Sequence, residues 1–303
     1  MPSLRTLHIV GVHAEGEVCD AVVGGFTEPK GCKTMYEKLC YFRDEADDIR
    51  QLLMQEPRGR SSQCMNMILQ PCNPLADAGF LTMESDEYPP MSGANTIATA
   101  TVLLETGMLA MKEPTTTLKL DTAAGLIEAR AECEAGKCKN VAFDNVPAFV
   151  YVLDHQVEVP GVGTVSVDVA WGGMHYVLVD ASSVGLKIDN AHGAELIRVG
   201  EAIKAAVRQS FVPVHPENSR IKESLRSLFR SSLMAPKSPQ IPLSFRLADL
   251  IEALAALEHA LGWQFFTLGA SSKKGNSFGT GVSLAQNLSV TFEVQQKWES
   301  TML

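Results

Sequence analysis

From Gly93 to Leu104 the chain carries no charged residue, and this stretch restricts the fold more than any other feature. Ile97, Ala98, Ala100, Val102, Leu103 and Leu104 fall on every side of a helix drawn through it, so no face is left for water. Such a helix runs through the middle of a domain. Pro90 closes the extended segment before it, and Ser92 stands where an N-cap belongs. Glu105 and Gly107 mark the end, the glycine as a left-handed terminator. At the start, the N–H groups of Gly93, Ala94 and Asn95 have no partner within the helix and carry the positive end of its dipole. A buried carboxylate fits there. Most serines before helices only cap them, so the hydroxyl becomes a candidate base only if something else brings a substrate to it.

Around this helix, short alternating segments outnumber helical ones. Leu7–Val10, Ala21–Val23, Met67–Gln70, Ala78–Met83, Thr117–Asp121, Ile127–Ala131, Val141–Asp144, Ala148–Val152, Thr164–Val169 and Tyr176–Val179 read as strands between Gly, Pro, Asn and Asp punctuation. Helices are expected at Thr34–Met54, Gly93–Thr106 and Gly193–Gln209. The pattern is that of an α+β fold, with mostly antiparallel sheets wrapped around a few buried helices.

Composition narrows the function class. With 303 residues there is room for one large or two medium domains with real cores, and a net charge of -9 argues against nucleic acid or an anionic membrane as partner. No apolar run reaches the length of a membrane span, and Met1-Pro2-Ser3-Leu4-Arg5 lacks the apolar core of a signal peptide, so a cytoplasmic location is expected. The seven cysteines are scattered. Cys133 and Cys138 are too far apart for a Cys-x-x-Cys motif, and no His/Cys spacing suggests zinc; Cys64, Cys72, Cys133 and Cys138 read as core or surface thiols, and no metal site is expected.

Several blocks, in order, resemble the proline racemase family. Met91-Ser92-Gly93-Ala94-Asn95-Thr96 is similar to its first active-site loop, usually Met-Cys-Gly-His-Gly-Thr, with Ser92 at the cysteine position, Ala94 at the histidine position and Asn95 at the second glycine position. His8 to Gly16 resembles the opening strand and turn, Glu56-Pro57-Arg58-Gly59 an early block, and Asp121-Thr122-Ala123-Ala124-Gly125 the block Asp-Thr-Pro-Ala-Gly. Asn145 to Phe149, Val167 to Gly173 and His215-Pro216-Glu217 continue the series.

The resemblance implies two pseudo-symmetric halves, each a mostly antiparallel sheet wrapped around a central helix as in diaminopimelate epimerase, with the active site in the cleft between them. The halves are set at 1–127 and 128–303. It implies cofactor-independent chemistry at the α-carbon of a proline-like substrate, with Ser92 as proton acceptor and Gly93, Ala94 and His215 contacting the substrate. A serine at the first position is typical of a subgroup associated with trans-3-hydroxyproline dehydration and 4-hydroxyproline epimerisation. Dehydration of trans-3-hydroxy-L-proline to a pyrroline-2-carboxylate is the leading expectation, because its α-hydrogen and hydroxyl share a ring face that one group can serve. A 4-hydroxyproline 2-epimerase or a catalytically impaired family member is the alternative, and a homodimer is the candidate assembly. Without pyridoxal phosphate, such a site must hold the carboxylate among aligned N–H dipoles while a base sits on the α-hydrogen. A serine is a poor base unless its pKa is lowered, and the sequence does not identify what would lower it. Glu56 and Arg58 read as a structural ion pair or as holding a loop, and His13 and Glu15 remain open.

The second active-site signature of the family, Asp-Arg-Ser-Pro-Cys-Gly-Thr-Gly-Thr, is absent as written. Ser277 to Ser283 offers only a Gly-Thr-Gly tripeptide, with Phe278 at the cysteine position. Back-translated with permitted codons and read out of register, Leu250 to Gly262 yields Asp-Arg-Ser-Pro-Cys-Gly-Thr-Gly-Thr-Cys-Ala-Arg. The family pattern is therefore expected to end shortly after Ile221-Lys222, with 223–303 divergent and out of frame. A printed tail of that origin is expected to pack poorly.

Overall fold

The computed structural model describes residues 6–14, 17–221 and the strand 225–230. In chain order these form β1 (His8–Val10), β2 (His13–Ala14), β3 (Glu17–Gly24), α1 (Met35–Glu45), α2 (Asp48–Met54), β4 (Gln63–Leu69), β5 (Ala78–Met83), α3 (Gly93–Glu105), β6 (Thr115–Thr122), β7 (Gly125–Glu134), β8 (Lys137–Asp144), β9 (Phe149–Val159), β10 (Gly163–Trp171), β11 (His175–Asp180), α4 (Gly193–Ser210) and β12 (Leu225–Arg230). The architecture is α+β with mixed sheets and few helices.

An eight-stranded sheet takes β1 to β8, in the order β1-β3-β4-β5-β6-β7-β8 with β2 on β3. Pairing is antiparallel except at β3/β4 and β5/β6. α3 lies against one face, and α1 and α2 pack against β5 and β4. This double cover explains why every residue of β4 and β5 is buried instead of alternating in and out.

α3 is buried from Gly93 through Leu104, as its lack of charge demands. Ile97, Val102, Leu103 and Leu104 each stabilise the core by roughly 1.5–3 kcal/mol on burial. Beyond its C-cap Thr106, Gly107 takes φ 73°, and Leu109 N–H returns to Leu103 O at 2.8 Å. Glu105 ties that end to β8, accepting from Cys138 N–H at 2.9 Å and pairing with Lys137 at 2.7 Å.

The single helix expected over Thr34–Met54 is two. It breaks at Ala46 and Asp47, and the cause is charge and capping. Glu45, Asp47 and Asp48 together oppose the negative end of one helix and suit the positive end of the next. Asp47 also accepts from Arg50 Nε at 2.7 Å and Gln51 Nε2 at 2.9 Å. The break lets Leu39 and Phe42 of α1 and Ile49 and Leu53 of α2 enter one core.

The second sheet has four strands in the order β12-β11-β10-β9, antiparallel apart from β11/β12. α4 lies along β9 and β12, burying Leu196, Val199, Ile203, Ala206 and Val207 at helical spacing. The change of sheet comes between Asp144 and Phe149. That is downstream of the expected 127/128 division, because β7 spans it and pairs on both edges within the first sheet. β12 also carries the fold to Arg230, beyond Ile221-Lys222, shortly after which the family pattern is expected to end. The expected second-loop segments, Leu250 to Gly262 and Ser277 to Ser283, lie outside the described residues, as does Glu15.

Candidate active site

Ser92 caps α3 as expected. Its backbone is extended, with φ -147° and ψ 129°, and its carbonyl accepts from Thr96 N–H at 2.9 Å and Thr96 Oγ1 at 2.7 Å. Ser92 Oγ accepts from Asn95 Nδ2 at 2.8 Å and, at the limit of a hydrogen bond, from Asn95 N–H at 3.5 Å. Gly93 and Ala94 sit beside it in the first turn, both buried. Ser92, Asn95 and Thr96 are all fully enclosed at 0% exposure. The positive end of the helix dipole therefore acts in a low-dielectric setting, where charge–dipole effects are strongest.

Behind the serine lies a chain of buried polar groups. Asn66 of β4 donates from Nδ2 to Asn95 Oδ1 at 2.7 Å and to Cys19 O at 3.0 Å, and Thr82 of β5 donates from Oγ1 to Asn66 Oδ1 at 2.9 Å. Asn66 and Thr82 are placed there by strand register: each faces α3, and they are Cα partners across the β4/β5 ladder. Cys64 Sγ, on the same face of β4, donates to Glu17 Oε1 at 3.4 Å. Burial, with Glu84 and Glu17 adding to it, pushes the Cys64 thiol well up; burial does the same to Cys19. Both thiols stay protonated. The seven cysteines are free, with Cys19, Cys64, Cys133 and Cys138 buried and Cys72 partly so.

The second half meets the first beside this loop. Gly173, at φ 96°, lies so close over Met91 that a Cβ there would come within 3.1 Å of Met91 Cβ. Ala124 N–H donates to Pro90 O at 3.1 Å, so the Asp121-to-Gly125 turn also braces the loop. A cavity of about 380 Å³ opens next to Pro90, between Tyr36, Arg50 and Tyr88 on one side and Trp171, Met174 and His175 on the other.

His215 reaches the same junction. Its ring packs edge-on against Trp171 at 4.7 Å and Phe149 at 5.4 Å. Burial lowers its pKa, and Nδ1 accepts from Glu217 N–H at 3.2 Å, which leaves Nε2 as the N–H of the neutral ring. Arg58 donates to Leu52 O at 2.9 Å, and an added Cβ on Gly59 would strike Met54 at 2.0 Å. That block is a loop brace. His13 lies in β2. Among the described residues no cluster of His, Cys, Asp and Glu is arranged to hold a metal ion, and no helix is long and apolar enough to cross a membrane.

Sequence reasoning placed Ser92 at the start of α3 but missed the side chains of Asn95 and Asn66. The available signal was polarity out of place: an asparagine inside the apolar run Met65 to Leu69, and another inside an uncharged helix.

The sequence model of the proline racemase family matches residues 9–239, further along the chain than the sequence blocks suggested. Among solved structures, the chain is similar to a hydroxyproline epimerase from Agrobacterium vitis with bound trans-4-hydroxy-L-proline, at 33% identity and TM-score 0.72, covering 79% of this chain and 69% of that one. It is likewise similar to a probable proline racemase from Agrobacterium radiobacter K84 with bound carbonate, at 36% identity and TM-score 0.71, covering 75% and 67%. The order of the sequence blocks, the buried helix that begins at Ser92 and the family match point the same way: the chain belongs to the proline racemase family.

Proposed function

We propose that the protein is a cofactor-independent epimerase of the α-carbon of 4-hydroxyproline or a closely related proline, with Ser92 as the acid/base group on one face of the ring. The observation that carries this reading is the enclosed start of α3, where Ser92 Oγ already accepts from Asn95 Nδ2 at 2.8 Å. Backbone N–H groups of Gly93 and Ala94 receive the substrate carboxylate and stabilise the charge that spreads onto it when the α-proton leaves. His215, with Nε2–H available, contacts the substrate from the second half in this reading.

Epimerisation needs a group on each face; the second is not in the sequence as written, and we assign it to the signature that Leu250 to Gly262 yields when read out of frame. The similarity to a hydroxyproline epimerase favours this reading over dehydration. Loss of water from trans-3-hydroxy-L-proline stays the second reading, since Ser92 alone can serve its single-face geometry. Incubation with trans-4-hydroxy-L-proline and with trans-3-hydroxy-L-proline separates the two. Inversion at the α-carbon of the former supports epimerisation, and a ketimine formed from the latter supports dehydration. Neither product, from protein whose mass matches the printed chain, rejects both. Sequencing the gene across residues 222–262 tests the second loop, and codons incompatible with the shifted signature would refute it.

A further inference from the structure

The polar chain behind Ser92 has a direction, and the direction is set by one backbone atom. Cys19 O can only accept, so the Asn66 side-chain atom 3.0 Å from it is the amide nitrogen. Asn66 Oδ1 is thereby turned to the Thr82 hydroxyl at 2.9 Å, and the second hydrogen of Asn66 Nδ2 goes to Asn95 at 2.7 Å. The Asn95 atom receiving it must be Oδ1. Asn95 Nδ2 is then the atom that faces Ser92 Oγ at 2.8 Å, with the Asn95 backbone N–H behind it at 3.5 Å. Ser92 Oγ therefore sits in the chain as an acceptor only, and its own hydrogen is not used by it.

We infer that Asn95, held in this orientation by Asn66, is the positioning residue that makes Ser92 an effective proton donor and acceptor. The inference rests on the functional reading above and names what that reading left open. When Ser92 Oγ–H protonates the substrate carbanion, the O–H bond breaks, a Cα–H bond forms, and the negative charge moves from the substrate to Oγ. There it meets two N–H donors and the start of a helix dipole in a site closed to water, the arrangement that stabilises a developing oxyanion. In the reverse direction the same alkoxide removes the α-proton and the charge returns to the substrate. Asn66 touches neither substrate nor Ser92. If its amide is lost, Asn95 is free to turn over and present Oδ1 to the serine, which would then have to donate.

A merely structural role, satisfying buried polar groups, predicts lost stability but not lost chemistry, so the test separates kcat from KM and uses a change of nucleophile. In the full chain, Asn95→Ala is expected to lower kcat for trans-4-hydroxy-L-proline by about 10²-fold, and Asn66→Ala by about 10-fold, with KM within about 2-fold, in line with removal of one oxyanion donor. In a Ser92→Cys background, Asn95→Ala should cost less than about 5-fold, because a thiol is intrinsically far more acidic than a hydroxyl and needs less help to carry charge. An equal loss in both backgrounds, or an unchanged kcat for folded Asn66→Ala, overturns the inference. The side-chain amide resonances of Asn95 give an independent readout. They should move upfield in Ser92→Ala and shift again in Asn66→Ala; no movement in either refutes the hydrogen-bond direction. If the wild type turns over neither substrate, the functional reading falls, and the amide spectrum alone decides whether the polar chain is arranged as inferred. The same spectrum decides if Ser92→Cys is inert.

Discussion

α3 and α4 are both long helices laid against sheets, yet one makes a site and the other a cover. α3 is enclosed from Gly93 through Leu104, and its Ser92 cap is bonded to Asn95. α4 buries one stripe and shows the other to solvent, where Glu195 pairs with Arg198 and Glu201 with Lys204. Its N-cap, His192, makes no side-chain capping bond. A dipole end in water is screened; the same dipole end walled off by a sheet and a facing loop is not. The difference lies in what surrounds each helix, and it predicts how differently the two tolerate change.

The largest contrast is a charge placed on each helix. Ile97→Asp puts an unpaired carboxylate where exposure is 0%, and should cost more than about 4 kcal/mol, enough to unfold the first half in a denaturant titration. A variant that keeps its unfolding midpoint would mean that α3 is less enclosed than described. At the seam, Gly173→Ala has to accommodate a Cβ near Met91 at a φ of 96°. Destabilisation of about 1–3 kcal/mol is expected, with turnover reduced because Met91 adjoins Ser92. Unaltered stability and turnover would argue that the seam is loose.

A smaller effect concerns His215. Burial depresses its folded pKa, so the unfolded chain binds the proton more readily and stability falls as pH drops below about 6.5 and through the folded value. Wild type and His215→Gln should therefore differ less in stability at pH 5 than at pH 8. A constant difference would show that the ring is not held neutral by its packing. The smallest effect belongs to the outer face of α4. Glu195→Ala removes an exposed ion pair and should leave the melting temperature unchanged within error.

These contrasts also explain what could be read before the structure was known. α3 and its cap were legible because an uncharged run of that length has one stable solution, and Ala78–Met83 was placed to the residue because its boundaries are marked by Asp77 and Glu84. The break between α1 and α2 was written in Glu45, Asp47 and Asp48, but apolar periodicity continued across it and hid the charge signal. The partnership of Asn66 with Asn95 was not legible, since it depends on the register of β3, β4 and β5 beneath α3, which no local pattern encodes. The role assigned to Ser92 came from resemblance, whereas its hydrogen-bond partners came only from tertiary packing. The strand Leu225–Arg230 was missed because its residues follow the point where the family pattern fades, although they still pair with β11.

The central claim is that the enclosed hydroxyl at the start of α3 exchanges a proton with the substrate's α-carbon. Incubating the full chain in D2O with trans-4-hydroxy-L-proline, and following loss of the α-proton signal by NMR, tests it without requiring net conversion. The account predicts exchange by the wild type and its loss by at least about 10³-fold in Ser92→Ala, as removal of an acid/base group demands, with the variant still folded and destabilised by only about 1 kcal/mol from the lost cap. Exchange that persists undiminished in folded Ser92→Ala would contradict it.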